Sequence, residues 1–161
     1  MKKIFALILI VTLCLVSCSK NNENQNKYLT NVECKTLADI VLNNTQDISF
    51  TQAEEAYVEL NISVDTSLCD DYTVYISQTG SADLFGIFKA TSIENADKVF
   101  LMSEEYLENL EKKFMSEYQP DELPKVKNSV AKQFGVYVVF TVLEESQKTL
   151  SLQQIESALK G

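Results

Sequence analysis

Residues 72–90 read YTVYISQTGSADLFGIFKA. Tyr72, Val74 and Ile76 alternate with Thr73, Tyr75 and Ser77, the period of a half-buried strand. Thr79-Gly80-Ser81 supplies turn chemistry. Leu84 to Ala90 is apolar on both sides, with Leu84, Gly86 and Phe88 opposite Phe85 and Ile87, so it reads as an inner strand. Two such runs about a short polar turn predict an antiparallel hairpin.

Toward the C-terminus, residues 93–118 predict a long helix. Ala96, Phe100, Leu107, Leu110, Phe114 and Tyr118 recur at helical spacing and form one stripe. The opposite face carries Glu104, Glu105, Glu108, Glu111, Lys112 and Lys113 and reads as a solvated face, with Glu108 and Lys112 in the favourable i,i+4 order. Pro120 stops the helix. A weaker strand over 126–133, a turn at Phe134-Gly135 and the run VYVVFTVL at 136–143 make a second hairpin; that last run is the strongest β signal in the chain. A final helix over 151–160 has Leu152, Ile155 and Leu159 as its stripe and Ser151 as its cap.

Toward the N-terminus, residues 61–71 read as irregular. Thr51 and Glu54 fit a capping box ahead of a short helix over 52–59. A first helix is expected over 29–44, capped by Thr30 or Asn31, with Leu37, Ile40, Val41 and Val32 or Cys34 on one face. The order is α-(α)-β-β-α-β-β-α. It predicts an α+β domain over 28–161, with a four-strand antiparallel sheet from two hairpins and the long helix across one face.

What precedes this domain speaks of location. Residues 1–17 combine the cationic Lys2-Lys3 with an apolar run from Ile4 to Val16, about 20 Å as a helix and short of a ~30 Å hydrocarbon core. They read as a signal peptide. Leu15-Val16-Ser17-Cys18 resembles the lipobox of bacterial lipoproteins, which implies lipidation of the Cys18 thiol and cleavage just before it. Residues 19–27, SKNNENQNK, hold no aliphatic or aromatic side chain and read, with Cys18, as a disordered tether over 18–27.

Composition removes several classes of activity. The 161 residues carry 14 lysines, no arginine and 23 acids, a net charge of −9. Such a surface argues against nucleic acid as a partner. With no histidine, Ser-His-Asp and Cys-His pairs are excluded and imidazole metal sites with them. Loss of residues 1–17 removes Lys2 and Lys3, leaving 12 lysines against 23 acids, so the body should stand off anionic lipid head groups.

The middle of the chain resembles a domain-of-unknown-function family of small Gram-positive, often clostridial, membrane lipoproteins. The likeness runs along Ala82-Asp83-Leu84-Phe85-Gly86-Ile87-Phe88-Lys89 and the Glu-rich helix, then Tyr118-Gln-Pro120-Asp-Glu, Val126-Lys-Asn128 and Gly135-Val-Tyr137-Val-Val. Leu84 departs from it, since an acidic residue is expected there. The resemblance implies a lipobox, a polar tether and one domain, and it implies no chemistry.

Few residues offer themselves as sites. Once Cys14 is cleaved off and Cys18 lipidated, Cys34 and Cys69 remain. A disulfide between them would close a loop of about 35 residues, worth about 3–4 kcal/mol in the chain-entropy model. The alternative, which we favour, is two free thiols, with Cys34 a small buried hydrophobe. Asp65, Asp70 and Asp71 are candidate oxygen ligands for a hard cation, although their spacing is not that of an EF-hand, and a solvated loop explains them as well. There is no glycine-rich phosphate loop, and no cofactor is called for. The expectation is a lipid-anchored binding or interaction module on the outer face of the cytoplasmic membrane, its partner another envelope protein or a small ligand. The rival is a cell-envelope hydrolase using carboxylates or lysine.

Overall fold

The computed structural model describes residues 27–114 and 119–161. The expected signal peptide, Cys18 and nearly all of the expected tether lie outside the described residues, as does Tyr118 of the expected helical stripe. The chain is α+β as the patterning predicts. In order it runs α1 (Cys34–Asn44), β1 (Phe50–Gln52), α2 (Glu55–Tyr57) continuing into a π turn (Val58–Ile62), a 3-10 turn (Thr66–Leu68), β2 (Cys69–Ser77) and β3 (Leu84–Ala90). There follow α3 (Ile93–Lys113), α4 (Leu123–Lys127), β4 (Val130–Phe134), β5 (Tyr137–Val142) and α5 (Glu145–Lys160).

The sheet has five strands in the order β1-β2-β3-β5-β4, every pair antiparallel, so the expected count of four is corrected by one. The added strand is β1. Its three residues pair with the edge of β2, Phe50 opposite Ser77 and Gln52 opposite Tyr75. Three residues are too few to show an alternation, and the capping pattern beside them pointed to a helix instead. The two hairpins form as read and join through β3 and β5, with Gly86 opposite Phe140.

Strand alternation sorts the core into two layers. Val74, Leu84, Phe88, Val138, Phe140 and Val142 face one side, against Ala96, Val99 and Leu107 of α3 and against Val58 and Ile62 of the π turn. Phe85, Ile87, Tyr137 and Val139 face the other, against Cys34, Leu37 and Val41 of α1 and Ile155 and Leu159 of α5. On α3 the most buried row is Ala96, Val99, Ser103 and Leu107, while Phe100, Leu110 and Phe114 pack beside it. The stripe is thus turned by part of a turn from the one the large residues suggested; the small Ala96 and Ser103 let the helix come close to the sheet.

Helix boundaries differ from the expectation for tertiary reasons. α1 begins at Cys34, not at residue 29. Residues before it form bends and irregular chain tied to α5 through the Leu29 N–H and to β5, where the Tyr137 hydroxyl accepts from the Val32 N–H at 2.9 Å and donates to its carbonyl at 2.7 Å. The cap comes from another element: Asp71 Oδ2 on β2 accepts the Cys34 N–H at 2.7 Å, doing at long range what Thr30 or Asn31 would do locally. The stretch read as a strand from 126 is first the short helix α4, with Pro124 in its first turn. α5 starts six residues earlier than read, because Lys148 is drawn in to the Asn128 carbonyl and Glu145.

Candidate functional site

Two places gather polar chemistry on a fixed frame. The first is a groove of about 530 Å³ between α3 and the α2–π turn, lined by Tyr57, Asn61, Met102, Tyr106, Asn109 and Leu110 among others. Its floor is an extension of the core: Met102, Tyr106 and Leu110 are half-buried against the α3-side cluster. The Tyr106 ring lies 5.4 Å from that of Phe140, which fixes its plane. Burial, with Tyr57 as the lesser cause, pushes the Tyr106 hydroxyl well above the ordinary phenol range, so it stays a protonated donor.

The groove's other wall is unusual backbone. Val58–Ile62 is a π turn, a rare geometry that is frequent at functional sites. It ends at Ser63, whose φ of 61° and ψ of 22° are left-handed without being glycine, a conformation that costs free energy. Asn61 Nδ2 donates to the Tyr57 carbonyl at 3.0 Å and ties the turn together. Leu60 stands out from it, 81% exposed.

The second place is a buried ion cluster where the β2–β3 turn meets α4. Asp83 is 4% exposed and Lys125 9%. Lys125 Nζ lies 2.8 Å from Asp83 Oδ2 and 2.7 Å from Glu122 Oε2. Ser81 Oγ donates to the same Asp83 Oδ2 at 2.6 Å, and the Ala82 N–H donates to Glu122 Oε2 at 2.9 Å. Asp83 Oδ1 is buried with no hydrogen-bond partner among the described residues. Burial pulls the Lys125 ammonium down, but hydrogen bonds to Asp83 and Glu122 outweigh it, and its pKa is raised overall.

Of the residues that sequence reading singled out, Cys34 and Asp71 are brought into direct contact, but as capping and packing groups. Cys34 and Cys69 are free thiols. Cys34 packs in the layer with α1 and α5, while Cys69, at the start of β2, packs toward the α3 layer. Cys34 Sγ donates instead to the Asp71 carbonyl at 3.5 Å. Burial first, then Asp71, drives the Cys34 thiol far up; burial, then Asp65, pushes Cys69 up to about 12. Neither is a thiolate nucleophile near neutral pH.

The three aspartates do not converge either. Asp65 Oδ1 caps the 3-10 turn, accepting from the Ser67 N–H at 3.0 Å and its Oγ at 2.6 Å. Asp71 caps α1. Asp70 falls at an irregularity in the β2–β3 register and is exposed. Among the described residues, no group of three or more Cys, Asp or Glu side chains is placed to hold a metal ion. Nor is any described helix long and apolar enough to cross a membrane.

Sequence reading missed both gathered places. Met102 and Tyr106 lead at i,i+4 into Leu110 of the expected stripe, and that flank was the available signal for the groove. Asp83 and Glu122 lie in the stretches that carried the family resemblance; Glu122 stands at i,i+3 from Lys125, but nothing local joined that pair to Asp83, 42 positions from Lys125.

No curated protein and no solved structure matches this chain. A family model does, over residues 43–143, from β1's approach through the end of β5. That span takes in the groove and the ion cluster alike, and with more than half of its length matched the chain belongs to the DUF4358 family, a domain of unknown function.

Proposed function

We propose that the protein is a lipid-anchored, extracytoplasmic binding module whose ligand or partner sits in the groove between α3 and the π turn. The observation that carries the binding reading is the groove's make-up. It has a rigid apolar floor of Met102, Tyr106 and Leu110 under a rim of Asn61, Asn109, Glu105 and Lys113, the usual combination of apolar surface and a few orienting polar groups. Exposed Tyr57 in its lining extends the apolar surface. A photo-crosslinking side chain at Asn109 should capture an envelope component, and Tyr57→Asp in the same chain should abolish the capture. A crosslinker at the exposed Lys132, on the sheet edge, serves as control. Equal capture from both positions, or capture that survives Tyr57→Asp, would rule the groove out.

The anchor rests on Leu15-Val16-Ser17-Cys18 and the tether behind it. Cys18→Ser should leave an unprocessed precursor, with no lipid-bearing N-terminal peptide by mass spectrometry. Normal processing and membrane retention of that variant would refute the lipoprotein reading. The rival, a hydrolase working through carboxylates or lysine, would find both together in the open groove where Glu104, Glu108 and Glu111 meet Lys127.

A further inference from the structure

We propose that the Lys125–Asp83 pair is a site of self-modification: the Lys125 amine and the Asp83 carboxyl condense to an intramolecular amide, with Glu122 as the proton carrier. Three features of the cluster carry this. The reacting groups are already in contact, Nζ to Oδ2 at 2.8 Å, and their frame is fixed from both sides. The Ser77 N–H holds the Asp83 carbonyl at 3.0 Å, and Lys125 sits on α4, whose first turn closes onto the Glu122 carbonyl at 3.1 Å. Such preset contact replaces an encounter in solution by a near-attack arrangement.

The second feature is burial. Two opposite charges 4% and 9% exposed have given up most of their hydration, and their attraction offsets that only if every remaining polar atom is satisfied. Here one is not, because Asp83 Oδ1 is buried without a partner. An orphaned oxygen is far more costly on an ionised carboxylate than on a neutral amide. Condensation removes both charges and leaves Oδ1 as an amide carbonyl.

The third feature is Glu122, whose Oε2 is 2.7 Å from the attacking nitrogen. In the reaction Nζ forms a bond to Asp83 Cγ and the Cγ–Oδ2 bond breaks. The ammonium begins with three protons. One stays on the amide nitrogen, and two leave with Oδ2 as water. Glu122 first takes one proton from Nζ, which frees the lone pair for attack, and delivers it to Oδ2; the second proton passes from Nζ to Oδ2 as the Cγ–Oδ2 bond breaks, beside the Ser81 hydroxyl that already donates to Oδ2. Nothing is oxidised or reduced, charge is conserved, and no co-reactant is needed. The product staples the start of β3 to α4 across the whole of α3.

The test is mass spectrometry of the full chain after complete unfolding. The expected result is a chain lighter than its sequence by one water, with a branched tryptic peptide joining the Asp83 and Lys125 segments and no cleavage after Lys125. Lys125→Arg should restore the full mass. Glu122→Gln keeps both reacting groups and should leave most of the chain unlinked. A wild-type chain of full mass that is cut normally after Lys125 overturns the proposal, and so does a water loss that persists in Lys125→Arg. Linkage of Glu122→Gln at the wild-type rate removes Glu122 from the reaction.

Discussion

Lys125→Ala is expected to cost about 3–5 kcal/mol in urea denaturation, the range for removing one partner of a buried ion pair. The substitution takes away the cation shared by Asp83 and Glu122. Asp83, 4% exposed, cannot recover its hydration without opening the β2–β3 turn away from α4. It must then take up a proton or stay charged without a counter-ion, and either is costly. Ser81 donates to one of its oxygens and nothing satisfies the other. The double variant Lys125→Met with Asp83→Leu replaces the pair by apolar groups of similar length and should lose much less than the single change. If the pair is joined as an amide, the single change also opens the 83–125 loop, so its loss grows. A loss below about 1 kcal/mol for Lys125→Ala would mean that the pair is open to water, contrary to its burial.

That cluster also marks the limit of what patterning can convey. Strand alternation is a local signal, and it was legible: Tyr72, Val74 and Ile76 do share a face, and Leu84, Gly86 and Phe88 do oppose Phe85 and Ile87. Five apolar β-prone residues within Tyr137–Val142 read correctly as a strand, and it is buried along its length. What failed was whatever another part of the chain decides. α1 starts where Asp71, 37 residues away, offers its carboxylate. β1 exists because β2 presents an open edge to Phe50–Gln52. α5 is lengthened by Lys148 reaching a carbonyl on the α4–β4 connection.

The candidate sites divide along the same line. Acidic side chains close together in sequence, Asp65, Asp70 and Asp71, suggested a cation, yet two of them are spent on capping and the third faces solvent. The groove is assembled from a π turn and a helix flank, and neither has a compositional mark: Val58–Ile62 reads as any short helical stretch. Within it Val58 and Ile62 both reach the same apolar layer. Ser63 then reverses the chain in a left-handed conformation that most sequences assign to glycine.

Gly86→Val tests the opposite kind of position, one where a missing side chain is the structural feature. By strand propensity alone the change should stabilise, because glycine inside a strand packs nothing and valine is among the best strand residues. Gly86 lies on β3, the middle strand of the sheet, opposite Phe140 on β5. A Cβ at position 86 would come within 2.5 and 2.6 Å of two ring carbons of Phe140, and 3.0 Å of the Phe88 ring. The Phe140 ring cannot step aside cheaply, being fully buried between Phe88 at 5.9 Å and Tyr106 at 5.4 Å. The added methyls must therefore push it off its rotamer or part β3 from α3, so a loss of about 3 kcal/mol or more is expected, at the upper end for overpacking. Trimming the ring should give back much of this: Phe140→Leu, destabilising alone, should lose little further when Gly86→Val is added. That favourable coupling between contacting sites, measured as a double-mutant cycle in denaturant, is the decisive quantity. A stabilising Gly86→Val, or two changes that simply add, would place the ring of Phe140 somewhere other than over this glycine. The groove would then lose the support beneath Tyr106, since the ring that holds Tyr106 in plane is the one that Gly86 makes room for.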